Sequence, residues 1–171
     1  MGPFVINVAD LVNRPGARRR ERVVGTLGGL RVGDASVPAE NDVSVEVLLE
    51  WVTDGVLASG DTRARWVGDC RRCLGPVGGE LRIEFRELFE PDPREGESYP
   101  LRNDHLDLAP LAREVLLLDL PLAPLCAADC RGLCPTCGAD LNRGDCRCVA
   151  ELGDPRWAAL DVLRGDWGEA D

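Results

Sequence analysis

The chain has 171 residues, of which 44% are hydrophobic, so it is long enough for one ordinary domain with a core and a small appendage. Thirty acidic residues against 20 basic ones, all of them arginine, give a formal net charge of −10, which opposes binding to a bare phosphate backbone and favours basic partners. The apolar runs are too short for a membrane span, and the N-terminus lacks the basic and apolar segments of a secretory signal, so we expect a cytoplasmic protein without a membrane partner.

The N-terminal residues predict a strand followed by a basic segment. Phe4, Ile6 and Val8 recur at the period of two that is typical of a strand, and Pro15-Gly16 then predicts a turn. The only dense basic cluster of the sequence comprises Arg14, Arg18, Arg19, Arg20 and Arg22. These arginines are candidates for RNA contact, or they form a solvated loop that offsets nearby acidic residues.

From residue 23 to about residue 89 the sequence is typical of β structure. Along residues 43–51, hydrophobic side chains occupy every second position, which is the pattern of a half-buried strand. Asp54-Gly55 predicts a hairpin turn, and further strands are expected around Trp66 and over residues 81–85. Several short strands joined by turns predict a small antiparallel sheet or a partly open barrel.

A single helix is expected after an acidic, proline-containing loop over residues 90–104. Asp107 is predicted as its N-cap. Apolar residues then recur at helical spacing, and Leu116 and Leu117 widen the stripe that they form: Leu108, Leu111, Ala112, Val115 and Leu118. This stripe predicts a helix that covers the open face of the sheet, which makes the fold class α+β. The one histidine, His105, has no partner set in the sequence and is interpreted as locally bonded.

The composition divides the chain into three segments. Residues 1–125 are predicted as the β-rich domain with its covering helix, and residues 126–150 as a cysteine-rich zinc-binding module that resembles a zinc ribbon. Residues 151–171 are predicted as a C-terminal helix or tail, because a second stripe is present: Trp157, Leu160, Leu163 and Trp167.

Five of the eight cysteines are the candidates for a zinc site in this module. Cys134 and Cys137 form a C-P-x-C-G turn, in which two thiolates converge on one ion. Zinc takes four ligands, so Cys130, Cys146 and Cys148 compete for the remaining two places. Cys146 and Cys148 bind together only if the chain between them bends sharply.

Cys70 and Cys73 form a second C-x-x-C motif. They could provide half of another zinc site, with Cys126 and Cys130 as the other half. Alternatively they form a redox pair, although the flanking sequence is β on both sides, whereas a redox motif of the thioredoxin kind opens a helix.

Several motifs occur together in the order found in one protein family. They are Cys70-x-x-Cys73-Leu74, then Phe85, Glu87 and Phe89, the helix residues Leu106-Asp107-Leu108, Pro110-Leu111 and Glu114, the segment from Leu118 to Pro121, and finally Cys126, the block from Gly132 to Asn142 and Cys146-x-Cys148. With these residues the chain resembles the YceD-type large ribosomal RNA subunit accumulation proteins of bacteria and chloroplasts, over roughly residues 20–150. The resemblance implies a role in ribosome biogenesis, a small basic ribosomal protein as partner, and no established catalytic residues.

Three functional hypotheses follow. The first is a non-enzymatic factor that binds a basic ribosomal protein or an assembling particle, as the acidic charge favours. The second is a zinc protein that binds RNA directly through its arginine cluster. The third is a thiol redox switch at Cys70 and Cys73. The sequence contains no catalytic Ser/His/Asp set, P-loop or dinucleotide fingerprint, so we expect no enzymatic activity.

Overall fold

The computed structural model describes residues 2–53, 55–148, 156 and 160. The chain forms two compact units, Met1–Cys130 and Arg131–Asp171. Cys126 and Cys130 therefore belong to the first unit, whereas the cysteine-rich module was predicted to begin at residue 126. Of the predicted C-terminal stripe, Leu160 is exposed, and Trp157, Leu163 and Trp167 lie outside the described residues.

The described residues of the first unit form nine strands and one helix. The strands are β1 Val5–Asn7, β2 Arg18–Gly25, β3 Leu30–Val32, β4 Ala35–Val37, β5 Val43–Val52, β6 Gly55–Asp69, β7 Pro76–Glu90, β8 Tyr99–Arg102 and β9 His105–Asp107, and the helix is α1 Ala109–Asp119. In the described part of the chain, no helix is long and apolar enough to cross a membrane.

The strands form one curled, half-barrel sheet. The hairpin of β6 and β7, with 15 residues in each strand, is its centre. On one side β6 pairs first with β5, which pairs with β2, and further along with β4. On the other side β7 pairs with β8, β8 pairs with β9, and β9 pairs with β1.

The prediction of an antiparallel sheet or a partly open barrel is confirmed in part: the sheet is a half-barrel, but one strand pair is parallel. β8 runs parallel to β7, with Phe89 opposite Tyr99 and Glu90 opposite Pro100, so the sheet is mixed. This strand lies inside the segment that was predicted as a loop over residues 90–104. Its four residues are too few to show a periodic pattern, and the prolines and glycine around it are typical of a loop.

The alternating residues form the core, as the pattern predicted. Val43, Val45, Val47 and Leu49 of β5 are buried, each with at most 3% of its surface exposed. Gly60 of the central hairpin approaches β5 closely: a Cβ atom added there would lie 1.9 Å from the carbonyl oxygen of Glu46. The absence of a side chain at this position therefore allows β5 and β6 to pack at this distance.

The helix covers the core with a face that differs slightly from the predicted one. Leu111, Ala112 and Leu116 are buried, while Leu118 is 80% exposed, so its assignment to the buried stripe was wrong. The N-cap is Leu108. Asp107, predicted as the cap, lies one residue earlier, and its Oδ1 accepts a hydrogen bond of 2.9 Å from the main-chain N–H of Ala109.

Candidate metal centres

Four thiols of the first unit converge at the end of the central hairpin. Cys70 follows β6 and Cys73 lies in the turn before β7, while Cys126 and Cys130 follow α1 in the chain. The Sγ atoms of Cys70 and Cys130 are 3.8 Å apart, those of Cys73 and Cys126 are 3.6 Å apart, and all four lie within 4.8 Å of one another. A tetrahedral zinc site with Zn–S distances of about 2.3 Å has S···S edges of about 3.8 Å, so this spacing suits a metal ion.

Main-chain hydrogen bonds shape the turn that carries Cys70 and Cys73. The N–H of Cys70 donates to the carbonyl of Gly75 at 2.7 Å, and the N–H of Leu74 donates to the carbonyl of Cys70 at 2.9 Å. We call residues 70–75 the first knuckle. Because it closes the β6–β7 hairpin, whose last pair is Asp69 and Pro76, the paired strands fix its position.

Two arginines connect this knuckle to the segment that carries the other two thiols. The main-chain N–H of Arg71 donates to the carbonyl of Pro124 at 2.9 Å. The guanidinium of Arg72 donates to the carbonyl of Cys130 at 2.9 Å and to that of Ala128 at 3.3 Å. The sequence does not indicate this role of Arg72, because nothing in a C-x-x-C motif shows which distant carbonyl groups its arginines will contact.

The surroundings of the first thiol group favour ionisation of Cys70 and oppose ionisation of Cys126. The main-chain N–H groups of Cys73 and Cys126 lower the pKa of the Cys70 thiol to about 6. The side chains of Cys130 and Cys73 raise the pKa of the Cys126 thiol to about 12. Four thiolates in this space therefore require a compensating cation, since each negative charge opposes the next ionisation.

The second unit brings together Cys134, Cys137, Cys146 and Cys148, whose sulfur atoms also lie within 4.8 Å of one another. The N–H of Gly138 donates to the carbonyl of Cys134 at 2.8 Å, and that of Cys134 donates to the carbonyl of Ala139 at 2.8 Å. We call residues 134–139 the second knuckle. Its Gly138 has a φ of +73°, in the left-handed region that favours glycine.

The remaining two thiols of this set come from the loop after the second knuckle. Asp145 forms an ion pair with Arg131, and the Oδ1 of Asn142 accepts a hydrogen bond of 2.8 Å from the main-chain N–H of Arg131. The main-chain N–H groups of Cys137 and Thr136 lower the pKa of the Cys134 thiol to about 6, whereas the side chain of Cys137 and burial raise that of Cys148 to about 12. In both thiol groups, therefore, one thiol has a lowered pKa and another has a raised pKa.

The eight cysteines thus form two groups that could each hold a metal ion. Of the five thiols proposed for one site, Cys134, Cys137, Cys146 and Cys148 lie together, and Cys130 lies in the other group with Cys70, Cys73 and Cys126. The chain does bend between Cys146 and Cys148 so that both sulfurs face the same point. Four sulfur donors without an open position are typical of structural zinc sites.

Four of the five clustered arginines lie on strand β2, and Arg14 lies in the turn segment before it. Arg18, Arg20 and Arg22 are exposed, as the solvated alternative predicted, but they lie on strand β2 and not in a loop. Arg18 contacts Glu50 at 2.8 Å and Arg22 contacts Glu46 at 3.7 Å, both across the strand pair of β2 and β5.

The other two arginines of the cluster also have partners. Arg19 pairs with Asp10 and with Glu21, and Arg14 donates to the main-chain carbonyl of Asp10 at 3.3 Å. Four of the five candidates for RNA contact are therefore engaged within the protein. His105 is locally bonded: it contacts the carbonyl of Asn103 at 2.6 Å and the side chain of Asn7 at 3.2 Å.

Comparisons with known proteins point to one family. The family described as large ribosomal RNA subunit accumulation protein YceD matches residues 58–164. The uncharacterized protein Rv2926c of Mycobacterium tuberculosis is 33% identical over 181 residues, which cover 96% of this chain and 86% of the relative. The chloroplastic large ribosomal RNA subunit accumulation protein YCED homolog 1 of Zea mays is 35% identical over 147 residues, which cover 85% of this chain and 48% of the relative. No solved structure matches the chain.

Proposed function

Because the chain belongs to the YceD family of large ribosomal RNA subunit accumulation proteins, we propose that it supports the accumulation of large-subunit ribosomal RNA as a non-enzymatic factor in ribosome biogenesis. The observation that carries this proposal is the match over residues 58–164, which contains all eight cysteines and the covering helix. The segment that defines the family is therefore the segment that contains both thiol groups.

We assign one zinc ion to each thiol group, with the role of fixing the local fold. Thiolates are soft ligands that select zinc over magnesium or calcium. Neither group has a water-accessible fourth position of the kind that a catalytic zinc ion requires, because four sulfurs already complete the tetrahedron. Eight reduced thiols also suit the cytoplasm, where disulfides are rare.

The partner that we propose is a basic ribosomal protein or an assembling particle that exposes one. The formal net charge of −10 attracts basic proteins and repels bare RNA. The engagement of Arg14, Arg18, Arg19 and Arg22 with acidic side chains or main-chain carbonyls further weakens any attraction to phosphate.

A deletion strain of the source organism tests this function. We expect the ratio of large-subunit to small-subunit ribosomal RNA to fall, and a wild-type copy to restore it. A copy with Cys73→Ser and Cys137→Ser, which breaks both thiol groups, should not restore the ratio, whereas the exposed control Glu84→Gln should. An unchanged ratio in the deletion strain would refute the proposal.

Direct RNA binding is the second candidate, and one observation favours it. Arg20 and Arg86 lie at the two ends of a row across β2, β5, β6 and β7, with Leu48 and Ser59 between them. Among the described residues, neither arginine has a carboxylate within 4.0 Å, and an open groove of about 430 Å³ borders Arg20. Replacement of both by glutamine should abolish RNA retention if this face binds phosphate.

The third candidate, a redox switch at Cys70 and Cys73, has less support. The sulfur atoms of these two residues lie within 4.8 Å of those of Cys126 and Cys130, so a metal ion would bind all four thiolates. Alkylation of Cys73 in the metal-bound protein separates the two functions, because a bound structural thiolate reacts slowly and a redox thiolate reacts rapidly.

A further inference from the structure

A surface cavity of about 440 Å³ lies where the end of β5, the strand β8 and the segment after β1 meet. Trp51 of β5, Leu101 of β8 and Val12 of the segment after β1 form its apolar walls. Trp51 is half-buried and packs against the core with one part of its side chain. The volume is within the range of protein pockets that bind small ligands, so the cavity is large enough for one long side chain of a partner.

Four polar side chains line the same cavity: Asn13, Thr53, Asn103 and Asp104. Within the part of the chain that the structure describes, none of the four side chains has a hydrogen-bond or ion-pair partner. Each carries at least one oxygen atom that accepts hydrogen bonds. The cavity therefore presents several free acceptors to a ligand that has several donors.

Main-chain hydrogen bonds hold the segments that carry these side chains. The N–H of Trp51 donates to the carbonyl of Ala17 and the N–H of Gly16 donates to the carbonyl of Trp51, both at 3.1 Å, so the segment after β1 is fixed to β5. The N–H of Val8 donates to the carbonyl of Asp104 at 2.7 Å, which fixes the turn between β8 and β9. Because the cavity is formed without a ligand, binding has a small ordering cost.

The charge of the cavity is negative. Among the described residues that line it, Asp104 has the only charged side chain, and this residue is exposed. A carboxylate beside an aromatic ring and neutral acceptors favours a cationic ligand over an anionic one.

Three arginines are close to the cavity in the sequence, but none of them lines it. The guanidinium of Arg14 donates to a main-chain carbonyl at 3.3 Å, and Arg94 pairs with Glu97 at 3.6 Å. Arg102 follows Leu101 on β8, and successive side chains of a strand point to opposite faces of the sheet. Within the described residues, therefore, no arginine of the chain itself neutralises the carboxylate in the cavity.

From these observations we propose that the cavity binds an arginine side chain of the basic protein partner. The inference rests on the proposed function, because it specifies how the basic partner is anchored. A guanidinium is planar, stacks on aromatic rings and has five hydrogen-bond donors. Trp51 provides the ring, Asp104 provides the carboxylate, and the amide and hydroxyl oxygens accept the remaining donors. A lysine ammonium has three donors and no planar face, so it would use fewer of these groups.

The test uses the full-length, metal-loaded protein and two small probes, N-acetylarginine amide and N-acetylcitrulline amide. Citrulline has nearly the same shape as arginine but is neutral, because an oxygen replaces one nitrogen of the guanidinium. Binding is followed by NMR spectroscopy of the isotope-labelled protein, through the side-chain N–H signals of Asn13, Trp51 and Asn103. Asp104→Asn and Trp51→Leu are the cavity variants.

Asp34→Asn is the matched control. Asp34 and Asp104 are both exposed, and each is the second residue of a two-residue hairpin turn, between β3 and β4 and between β8 and β9, respectively. Each substitution removes one negative charge from such a turn, so the two variants differ in their effect on the cavity and not in net charge. Thermal unfolding and metal content show whether each variant is folded.

We expect N-acetylarginine amide to shift the three side-chain signals with a dissociation constant of about 1 mM. N-acetylcitrulline amide should bind about tenfold more weakly, as should N-acetylarginine amide to Asp104→Asn and Trp51→Leu, whereas Asp34→Asn should bind like the wild type. Equal binding of the two probes, or equal binding by Asp104→Asn and Asp34→Asn, would overturn the inference and leave the proposed function intact. Shifts of the same signals by adenosine, and not by the arginine probe, would assign the cavity to an RNA base and overturn it too.

A separate measurement tests the partner itself. Basic proteins are extracted with salt from purified large ribosomal subunits and passed over the immobilised wild-type protein and its variants. Retention that is about tenfold weaker in Asp104→Asn than in Asp34→Asn would support the arginine anchor, and equal retention in the two would overturn it. No retention by the wild type would refute the proposed partner and, with it, this role of the cavity.

Discussion

The guanidinium of Arg72 donates a hydrogen bond of 2.9 Å to the carbonyl oxygen of Cys130, across 58 positions of the sequence. This contact joins the two halves of the first thiol group, because Arg72 lies between Cys70 and Cys73, and Cys130 is itself a member of the group. A contact outside the sulfur atoms thus holds the geometry that the sulfur atoms need.

Replacement of Arg72 should weaken metal binding at the first group alone. Without the guanidinium, the carbonyls of Ala128 and Cys130 lose their donor and the segment from Cys126 to Cys130 is less constrained. We expect Arg72→Ala to reduce zinc affinity at this group about 10- to 100-fold, measured by competition with a chromophoric chelator. Arg71→Ala is the control, because Arg71 bonds to Pro124 through its main chain and should keep wild-type affinity. Equal affinities in the two variants would contradict this role.

Leu74→Gly should raise the stability of the protein. Removal of the Cβ atom relieves the left-handed strain at φ +57°, and the side chain that is lost is mostly exposed. We expect a gain of up to about 1 kcal/mol, measured by thermal unfolding of the metal-loaded protein. The reciprocal change, Gly138→Ala at φ +73°, should destabilise the second knuckle by a similar amount. A loss of stability in Leu74→Gly would show that the leucine supports the fold.

Gly60→Ala should severely destabilise the sheet. The new Cβ atom would lie 1.9 Å from the carbonyl oxygen of Glu46, so β5 and β6 would have to separate. We expect a loss of about 2–4 kcal/mol or a failure to fold, measured by denaturant unfolding. Gly29→Ala provides the comparison, since nothing lies within 4 Å of its added Cβ atom. If Gly60→Ala and Gly29→Ala have the same free energy of unfolding, then β5 and β6 do not approach each other closely at Gly60.

Glu87→Gln should stabilise the protein at neutral pH. Burial and then the charge of Glu114 raise the pKa of Glu87 above its usual value, so the ionised carboxylate costs stability when the pH is above that pKa. For a carboxyl group whose pKa is raised in the folded state, stability increases as the pH falls through this pKa and levels off below the unfolded value of about 4.3. The advantage of Gln over Glu should therefore be present at pH 7 and disappear at acidic pH.

The matched control for this change is Glu84→Gln, on the same strand but at an exposed position. Unfolding midpoints of both variants and of the wild type, measured from pH 4 to pH 8, provide the comparison. A stability difference for Glu87→Gln that grows as the pH falls would have the wrong sign and would contradict the assignment.

The sequence predicted the elements better than their arrangement. The alternation along β5 and around Leu81, Ile83 and Phe85 identified strands, because one buried face imposes a period of two. It did not predict that β8 pairs in parallel with β7, since four residues carry no reliable period. It also placed Leu118 in the buried stripe, whereas Leu118 is exposed; Leu116, which the predicted stripe included, is buried, as is Leu120 directly after the helix.

The membership of the two thiol groups could also be predicted only in part from the sequence. The spacing of Cys134 and Cys137 predicts a knuckle from local geometry alone. No local rule decides whether Cys130 joins that knuckle or Cys70 and Cys73, because Cys73 and Cys130 are 57 positions apart in the sequence. The fold decides, since the end of the β6–β7 hairpin and the segment after α1 meet through the hydrogen bonds of Arg71 and Arg72.

The metal content of the purified, reduced protein tests the central claim, that two separate sets of four thiolates each hold one zinc ion. Elemental analysis should find two zinc ions per chain in the wild type and one in each of Cys73→Ser and Cys137→Ser. A folded wild-type protein with no stoichiometric metal, or a Cys73→Ser variant that still holds two ions, would contradict it.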